Sequence, residues 1–290
     1  MTRTGPLRPM PSSSPAASGA MAHRRADAPD SEAHVPASVT VEAGTAPVAR
    51  APSFLQALRG IARRGDYDEL LDQPGVPIAY LSENLAHLRL LNRWLGWSAG
   101  LWPMVRALLG DADRATLLDV ATGSGDVPRD LARRALAQGT NLRLVGSDVS
   151  AAILLDAGRQ PGPAIELVRH DATAIPCASA SVDIATLCLA AHHLDPPALR
   201  AALGEMWRVS RRGIVVSDLE RGRLAYIAAR LMALVLRNPL TSHDGPVSVL
   251  RAYTEPELRR LAHGAGLRNL RVVRRFPFRL ILTARKEQRA

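Results

Sequence analysis

Gly123 and Gly125 lie in the segment Leu117–Val127 (Leu-Leu-Asp-Val-Ala-Thr-Gly-Ser-Gly-Asp-Val), where an apolar run meets a helical pattern. Glycines at a strand-to-helix junction let the backbone turn tightly and bring unpaired N–H groups close to a polar or anionic ligand. Asp126 is placed to cap the helix that follows, and Pro128 is tolerated in its first turn. Asp148 comes 23 residues after Gly125, at the end of the next apolar run. A carboxylate at that distance in a βαβ unit accepts hydrogen bonds from ribose hydroxyls. Together the two signals call for a cofactor that contains a nucleoside. The dinucleotide fingerprint needs a third glycine where Pro128 stands, and the Gly-Lys-Ser/Thr of a P-loop does not occur.

Three histidines are candidates for proton transfer. His192 and His193 follow the apolar run Val182–Cys188 and read as a base or a substrate hydrogen bond. The plainer account is a polar pair fixing the loop before Asp195-Pro196-Pro197, itself an N-cap with prolines opening a helix. His243 begins His-Asp-Gly-Pro, a turn expected after a long helix. Neighbouring residues point in different directions, so His243 and Asp244 do not make a dyad by adjacency alone.

The elements that must carry these residues alternate. Strands are expected at Thr116–Ala121, Leu142–Asp148, Ile165–His170, Val182–Cys188 and Gly213–Asp218, with helices at Val127–Ala137, 150–158 and 196–207. Such alternation gives a doubly wound, Rossmann-like α/β sheet, mostly parallel, whose ligands bind beyond the carboxyl ends of its strands. Thr254–Ala262 is a helix with Thr254 as N-cap and Glu257 completing a capping box. Leu267–Phe276 and Phe278–Ala284, parted by Pro277, are expected as an antiparallel C-terminal pair, bringing the sheet to seven strands.

Ahead of the sheet, residues 53–112 form a helical lid. One helix carries Phe54, Leu58 and Ile61, a second starts near Pro77 with Leu81, Leu85, Leu88 and Leu95 in one stripe, and a third covers Leu101–Leu109. The helix Leu224–Leu236 presents Leu224, Ile227, Leu231, Leu234 and Val235, with Arg223, Arg230 and Arg237 on another face. It belongs to a helical insertion at 219–253 that shapes an apolar pocket with the lid. Its ordinary meaning is a solvated basic face, and its sharper one is contact with a membrane surface. Residues 1–52 are rich in Pro, Ser, Ala and Gly without periodicity and are expected as a disordered tail, or as the product of a start placed ahead of Met21. Their early arginines are faintly like a transit peptide, but prolines spoil the amphipathic helix such a peptide needs.

The formal charge of +10 would ordinarily point to nucleic acid or an anionic surface. Arginine supplies 36 of the 37 basic residues, spread along the chain with no long like-charge run, and a bias toward GC-rich codons accounts for much of it. Cys177 and Cys188 sit in unrelated contexts, so neither a disulfide framework nor a metal site is expected. No run reaches the roughly 18 apolar residues of a membrane span. A cytoplasmic protein is expected, and nothing in the sequence sets its oligomeric state.

The segment around Gly123 resembles motif I of class I S-adenosylmethionine (SAM)-dependent methyltransferases, an acid near the end of the first strand followed by G-x-G-x-G. Here the acid is Asp119, and Ala121 replaces the first glycine, giving D-V-A-T-G-S-G-D. That variant is similar to the ubiquinone and menaquinone C-methyltransferase branch, with its type 11/12 domains. Asp148 matches the family's ribose-binding acid, and Asp171-Ala172 the pair whose carboxylate meets the adenine amino group. Ser181-Val-Asp183 matches the S-F-D motif, and Glu205-Met-Trp-Arg-Val209 with Arg212-Gly213 the E-x-x-R-V-L-K-P-G-G turn. The resemblance spans roughly residues 114–220 and implies a cofactor-binding set of Asp119, Ala121, Gly123, Gly125, Asp148, Val149, Asp171, Ala172 and Leu189. Asp195-Pro-Pro-Ala198 resembles the D-P-P-Y of methyltransferases that act on flipped bases, but lacks the stacking aromatic and lies well past the strand.

What the resemblance implies is methyl transfer from SAM to an oxygen or enolic carbon of a small, hydrophobic metabolite such as a polyketide, phenol or quinone precursor. The 113–285 region would be the catalytic domain, with His192, His193 and His243 as candidate bases. Asn238–Tyr253 is similar to stand-alone bacterial methyltransferases of secondary metabolism. An RNA methyltransferase is the rival that would use the charge, but no RNA-binding module is present. A non-catalytic SAM-binding regulator is the other.

Overall fold

The computed structural model describes residues 51–72, 78–235 and 239–287, so residues 1–50 of the expected tail, the Pro77 helix start and Arg237 lie outside the described residues. Helices α1 (Phe54–Gly60), α2 (Ile78–Trp94) and α3 (Trp97–Leu109) lead into β1 (Arg114–Val120). The central run is α4 (Asp126–Leu136), β2 (Asn141–Asp148), α5 (Ala151–Arg159), β3 (Ile165–Arg169), β4 (Val182–Cys188), α6 (Pro196–Val209) and β5 (Ser210–Leu219). It continues through α7 (Arg223–Val235), α8 (Pro239–Arg251), α9 (Glu255–Gly264), β6 (Leu270–Arg275) and β7 (Arg279–Arg285). Strand order is β3-β2-β1-β4-β5-β7-β6. The first five pair in parallel, while β7 runs antiparallel to both β5 and β6. The last strand therefore slots between β5 and its own hairpin partner.

Alternation along β1 explains why the sheet is covered on both faces. Leu118 and Val120 join one buried cluster, with Leu199, Leu203 and Met206 of α6. Ala115 and Leu117 join the other, with Leu101, Val105 and Leu108 of α3 and Leu131 of α4. Side chains at period two point to opposite faces, and each fully buried leucine contributes roughly 1.5–3 kcal/mol. At the far end of the sheet from the glycine turn, Asp183 accepts from the Thr116 N–H at 2.8 Å and from Arg212 Nε at 3.4 Å, tying three strand starts together. Gly213 cannot carry a Cβ, because the Ala284 carbonyl of β7 occupies that space.

Several boundaries differ from the expectation for identifiable reasons. The third helix starts at Trp97 rather than Leu101, because Gly96 takes a left-handed φ of 63° and restarts the chain directly after α2. Gly125, not Asp126, is the N-cap of α4, at φ 68°, and the Asp126 carboxylate instead accepts from Asn92 Nδ2 at 3.0 Å. His243–Pro246 is not a turn. It lies inside α8, whose packing against α7 and α2 overrides the local Gly-Pro signal. The capping acid of α9 is where expected, Glu257 Oε2 accepting the Thr254 N–H at 2.8 Å. Among the described residues no helix is long and apolar enough to cross a membrane.

Candidate functional site

A cavity of about 990 Å³ opens at the carboxyl ends of β1, β2 and β4. Asp119, Ala121, Gly123, Asp148, Val149, Asp171, Ala172, Leu189, His192 and His193 all line it. Gly125 and His243 do not.

The glycine turn is built by the ends of β1 and β2. Their register pairs Val120 with Ser147, so Asp148 emerges beside the turn. Its Oδ2 accepts the Gly123 N–H at 3.3 Å and its Oδ1 the Ser150 N–H at 3.0 Å. Burial still pushes the Asp148 carboxyl up from its ordinary value, against the pull of these N–H donors. Gly123 has a left-handed φ of 54° and open space where a Cβ would point. Ala121 also has positive φ, at 51°, which explains why glycine suits that position in motif I. Leu189, after β4, is held at φ 55°.

Asp119 is 1% exposed and accepts hydroxyl hydrogen bonds from Thr186 at 2.6 Å and Thr122 at 2.8 Å. Burial lifts its carboxyl to about 7, because these two donors only partly offset the lost hydration. Asp171 is the opposite case. The Thr173 N–H and hydroxyl, each 2.7 Å from Oδ1, hold its carboxyl below the usual range. Beside it, Nε2 of His170 is buried without a hydrogen-bond partner, while Nδ1 lies 3.0 Å from the Asp171 carbonyl.

Two arginines support this edge, and neither was legible as functional. Arg129 of α4 is buried, and its guanidinium donates to the carbonyls of Ser124 (3.1 Å), Gly125 (3.2 Å) and Ala157 (2.9 Å). It braces the glycine turn from behind. Arg89 of α2 donates from Nη1 to Ser124 Oγ at 2.8 Å and to Asp156 Oδ2 at 2.9 Å, latching the lid onto the turn.

The other half of the cavity joins a polar floor to an apolar chamber. Leu81, Leu85, Leu88, Met232, Val249 and Phe278 are among the chamber's walls, drawn from the lid, the α7–α8 insertion and the β6–β7 turn. On the floor, His192 is 4% exposed and its Nδ1 lies 2.7 Å from Asp218 Oδ1, at the end of β5. Burial alone would raise the Asp218 carboxyl, but His192 and the backbone N–H groups of Leu219 and His192 hold it below its usual range. His193 Nδ1 lies 3.0 Å from Asp72 Oδ2. Burial opposes its charge, yet the Asp72 hydrogen bond and the Glu69 and Asp72 charges win, lifting it to about 9. Arg64 and Arg251 clamp the loop by donating to the carbonyls of His192 (2.8 Å) and His193 (2.8 Å).

His243 stands apart. Its Nδ1 lies 2.9 Å from Asp244 Oδ1, and Asp244 accepts the N–H groups of Leu70 and Leu71 at 2.7 and 2.9 Å. The pair therefore caps the short 3-10 turn Leu70–Asp72 that brings Glu69 and Asp72 to the floor. Sequence reasoning missed Glu69, Asp72 and Asp218. Only Asp218 carried a signal, as an acid at a strand's carboxyl end.

Residues 117–213 match the model of a family described as a methyltransferase domain. No curated protein matches the chain. Among solved structures, a SAM-dependent methyltransferase from Aquifex aeolicus is similar at 20% identity, over 63% of this chain and 88% of that one, with a TM-score of 0.47. Magnesium protoporphyrin IX methyltransferase from Synechocystis, with bound S-adenosylhomocysteine, is 15% identical over 80% of this chain and 94% of its own, with a TM-score of 0.45. Residues 117–213 thus resemble a methyltransferase domain, and they lie within the sheet ordered β3-β2-β1-β4-β5-β7-β6.

Proposed function

We propose that this protein transfers a methyl group from SAM to an oxygen or enolic carbon of a small, largely apolar hydroxylated metabolite. The observation that carries the reading is a single cavity lined at once by the glycine turn and Asp148, by leucines of the lid, and by His192 and His193. The cofactor end fits SAM. Gly123 leaves room for close backbone approach, Asp148 offers a carboxylate for a ribose, and exposed Val149 beside the unpartnered Nε2 of His170 suits an adenine. SAM supplies an electrophilic methyl on a sulfonium, so much of what the protein must do is position two reactants and exclude water.

This chain's residues divide the work. The Asp119–Thr186–Thr122 network and Arg129 fix the glycine turn, and the lid and insertion hold an apolar acceptor. The acceptor hydroxyl gives up its proton to His192, whose ring Asp218 fixes, while His193, kept charged by Asp72 and Glu69, favours the oxygen as it ionises. The motif variant D-V-A-T-G-S-G-D keeps the quinone C-methyltransferase branch as the nearest pattern, and polyketides, phenols and quinone precursors as acceptor classes. On the outer face of α7, Leu231, Leu234 and Val235 are 60%, 75% and 72% exposed beside Arg230, a surface suited to an anionic membrane that would store such acceptors.

The test is calorimetry of SAM and S-adenosylhomocysteine binding to the purified chain. Mass spectrometry after incubation with SAM and a panel of alkylphenols, enolic pyrones and quinols should then reveal products heavier by one methylene. Cofactor uptake with no S-adenosylhomocysteine formed on any acceptor would instead support a SAM-binding regulator. Steeply salt-dependent RNA binding would point to the nucleic-acid reading.

A further inference from the structure

Glu69 is separated from His192 and His193 by more than a hundred residues, yet the fold closes all three around one point. The carboxylate is 1% exposed, and its Oε1 has no hydrogen-bond partner. Oε1 lies 3.9 Å from His192 Nε2, and Oε2 lies 3.6 Å from His193 Nδ1, both too long for hydrogen bonds. Asp218 engages His192 at Nδ1, the arrangement that assigns the proton to Nδ1 and leaves a lone pair on Nε2. Two electron-pair donors, Nε2 and Glu69 Oε1, then face each other at 3.9 Å, and no group donates a hydrogen bond to that oxygen. A buried carboxylate oxygen left without a hydrogen bond is stabilised by a cation seated against it.

The surrounding charge has the sign that suits a cation. Glu69, Asp72 and Asp218 supply three carboxylates, and Arg251, with Nε 3.8 Å from Glu69 Oε1, supplies one guanidinium. Against the Arg251 guanidinium and the His193 ring, the three carboxylates leave the cluster net negative. A carboxylate orienting a histidine from its far nitrogen is also how metal-binding histidines are held in place.

We propose that Glu69, His192 and His193 form a site for one divalent transition-metal cation at the floor of the acceptor chamber. Two imidazoles and one carboxylate favour Zn²⁺, Co²⁺ or Mn²⁺ over Mg²⁺ or Ca²⁺, which prefer oxygen-only shells. Three protein ligands leave coordination positions open toward the cavity, where an acceptor oxygen can be held and its ionisation favoured. Binding of the ion stands on these residues alone. Its use in methyl transfer rests on the function proposed above.

The full chain, stripped with EDTA and dialysed, is titrated with ZnCl₂ and CoCl₂ by calorimetry, and the Co²⁺ absorption spectrum is recorded. The expected result is one ion per chain, a visible Co²⁺ band of nitrogen–oxygen ligation, and loss of uptake in Glu69→Gln and His192→Asn. Asp218→Asn should weaken uptake by about 10–100-fold. His263→Asn, an exposed histidine of α9 outside the cluster, should leave it intact. If either variant fails to fold, the Co²⁺ spectrum of the unaltered chain still decides. No saturable uptake, or uptake unchanged in folded Glu69→Gln and His192→Asn, overturns the site and leaves the gap to a shared proton. SAM binding measured on the same preparation separates the two readings, since loss of one without the other assigns the failure.

Discussion

Nδ1 of His192 stands 2.7 Å from Oδ1 of Asp218, and Oδ2 of the same carboxylate accepts the His192 backbone N–H at 2.8 Å. One acid at the end of β5 thus fixes both the ring and the backbone of a residue in the loop after β4. Asp218→Asn keeps the shape but lets the amide donate to the ring and select the other tautomer. Turnover should fall by about 10²-fold or more, the usual contribution of a positioned acid–base group. SAM affinity, measured by calorimetry, should stay within a factor of about two, since Asp218 does not line the cavity. A parallel loss of SAM binding would assign Asp218 to the scaffold instead.

The sequence made the cofactor edge legible because that edge is local. Leu117–Val127 and Asp148 belong to one βαβ unit, and their spacing alone carries the geometry. The polar floor is not local. Glu69 and Asp72 reach His192 and His193 through a short 3-10 turn whose N–H groups are capped by Asp244 from α8. No period or motif announces such a contact. Arg129 was hidden for another reason, since an arginine on an amphipathic helix ordinarily reads as solvated, whereas this one turns inward to four carbonyls. His243 misled in the other direction. Its Gly-Pro neighbours are turn chemistry, but helix packing won.

Ala121 occupies a left-handed position at φ 51° that costs a non-glycine residue roughly 1–2 kcal/mol. Ala121→Gly removes that strain and returns about 0.5–1 kcal/mol of it as added freedom in the unfolded chain. The net should be a stabilisation of up to about 1 kcal/mol, seen as a rise of about 2–4 °C in Tm. Calorimetric melting of the ligand-free chain measures it. An unchanged or lower Tm would mean the turn is not strained at this residue.

Asp119 gives the ligand-free chain a pH dependence with a definite sign. Its carboxyl moves from 3.8 to about 7 on folding, so between those values the native state holds a proton that the unfolded chain has released. Stability from this group therefore falls as pH rises from about 4 to 7, by up to about 4 kcal/mol. Asp119→Asn keeps groups for Thr186 and Thr122 to bond and cannot ionise. Urea midpoints at pH 5 and pH 8 should differ less in Asp119→Asn than in the parent. Equal differences in both proteins would remove Asp119 as the cause.

The latch from Arg89 to Ser124 and Asp156 couples the lid to the cofactor turn. Removing it in Arg89→Ala should free the carboxyl half of α2 without touching the sheet core. Hydrogen exchange along α2 should speed up, while exchange in β1 and β4 stays slow. SAM binding should weaken by about tenfold, since each 1.4 kcal/mol of lost order is a factor of ten. Unchanged exchange in α2 would show that the lid is held by its apolar contacts alone.

The exposed stripe on α7 makes a prediction about where the protein sits. Leu224, Leu231 and Val235 recur on one side of the helix, with Arg223 and Arg230 beside them, while Ala225 and Ala229 of the same helix face the acceptor chamber. An interfacial helix buries such a stripe among acyl chains and keeps its arginines at the anionic headgroups. Each exposed leucine withdrawn from water is worth roughly 1.5–3 kcal/mol, so two aspartates in the stripe should abolish an attachment of ordinary strength. Flotation with vesicles containing phosphatidylglycerol should carry the parent chain upward and leave Leu231→Asp/Val235→Asp behind. Neutral phosphatidylcholine vesicles should bind the parent less, through loss of the arginine contribution alone. Equal flotation of parent and variant on both vesicle types would place α7 in solvent and leave the acceptor to arrive through water.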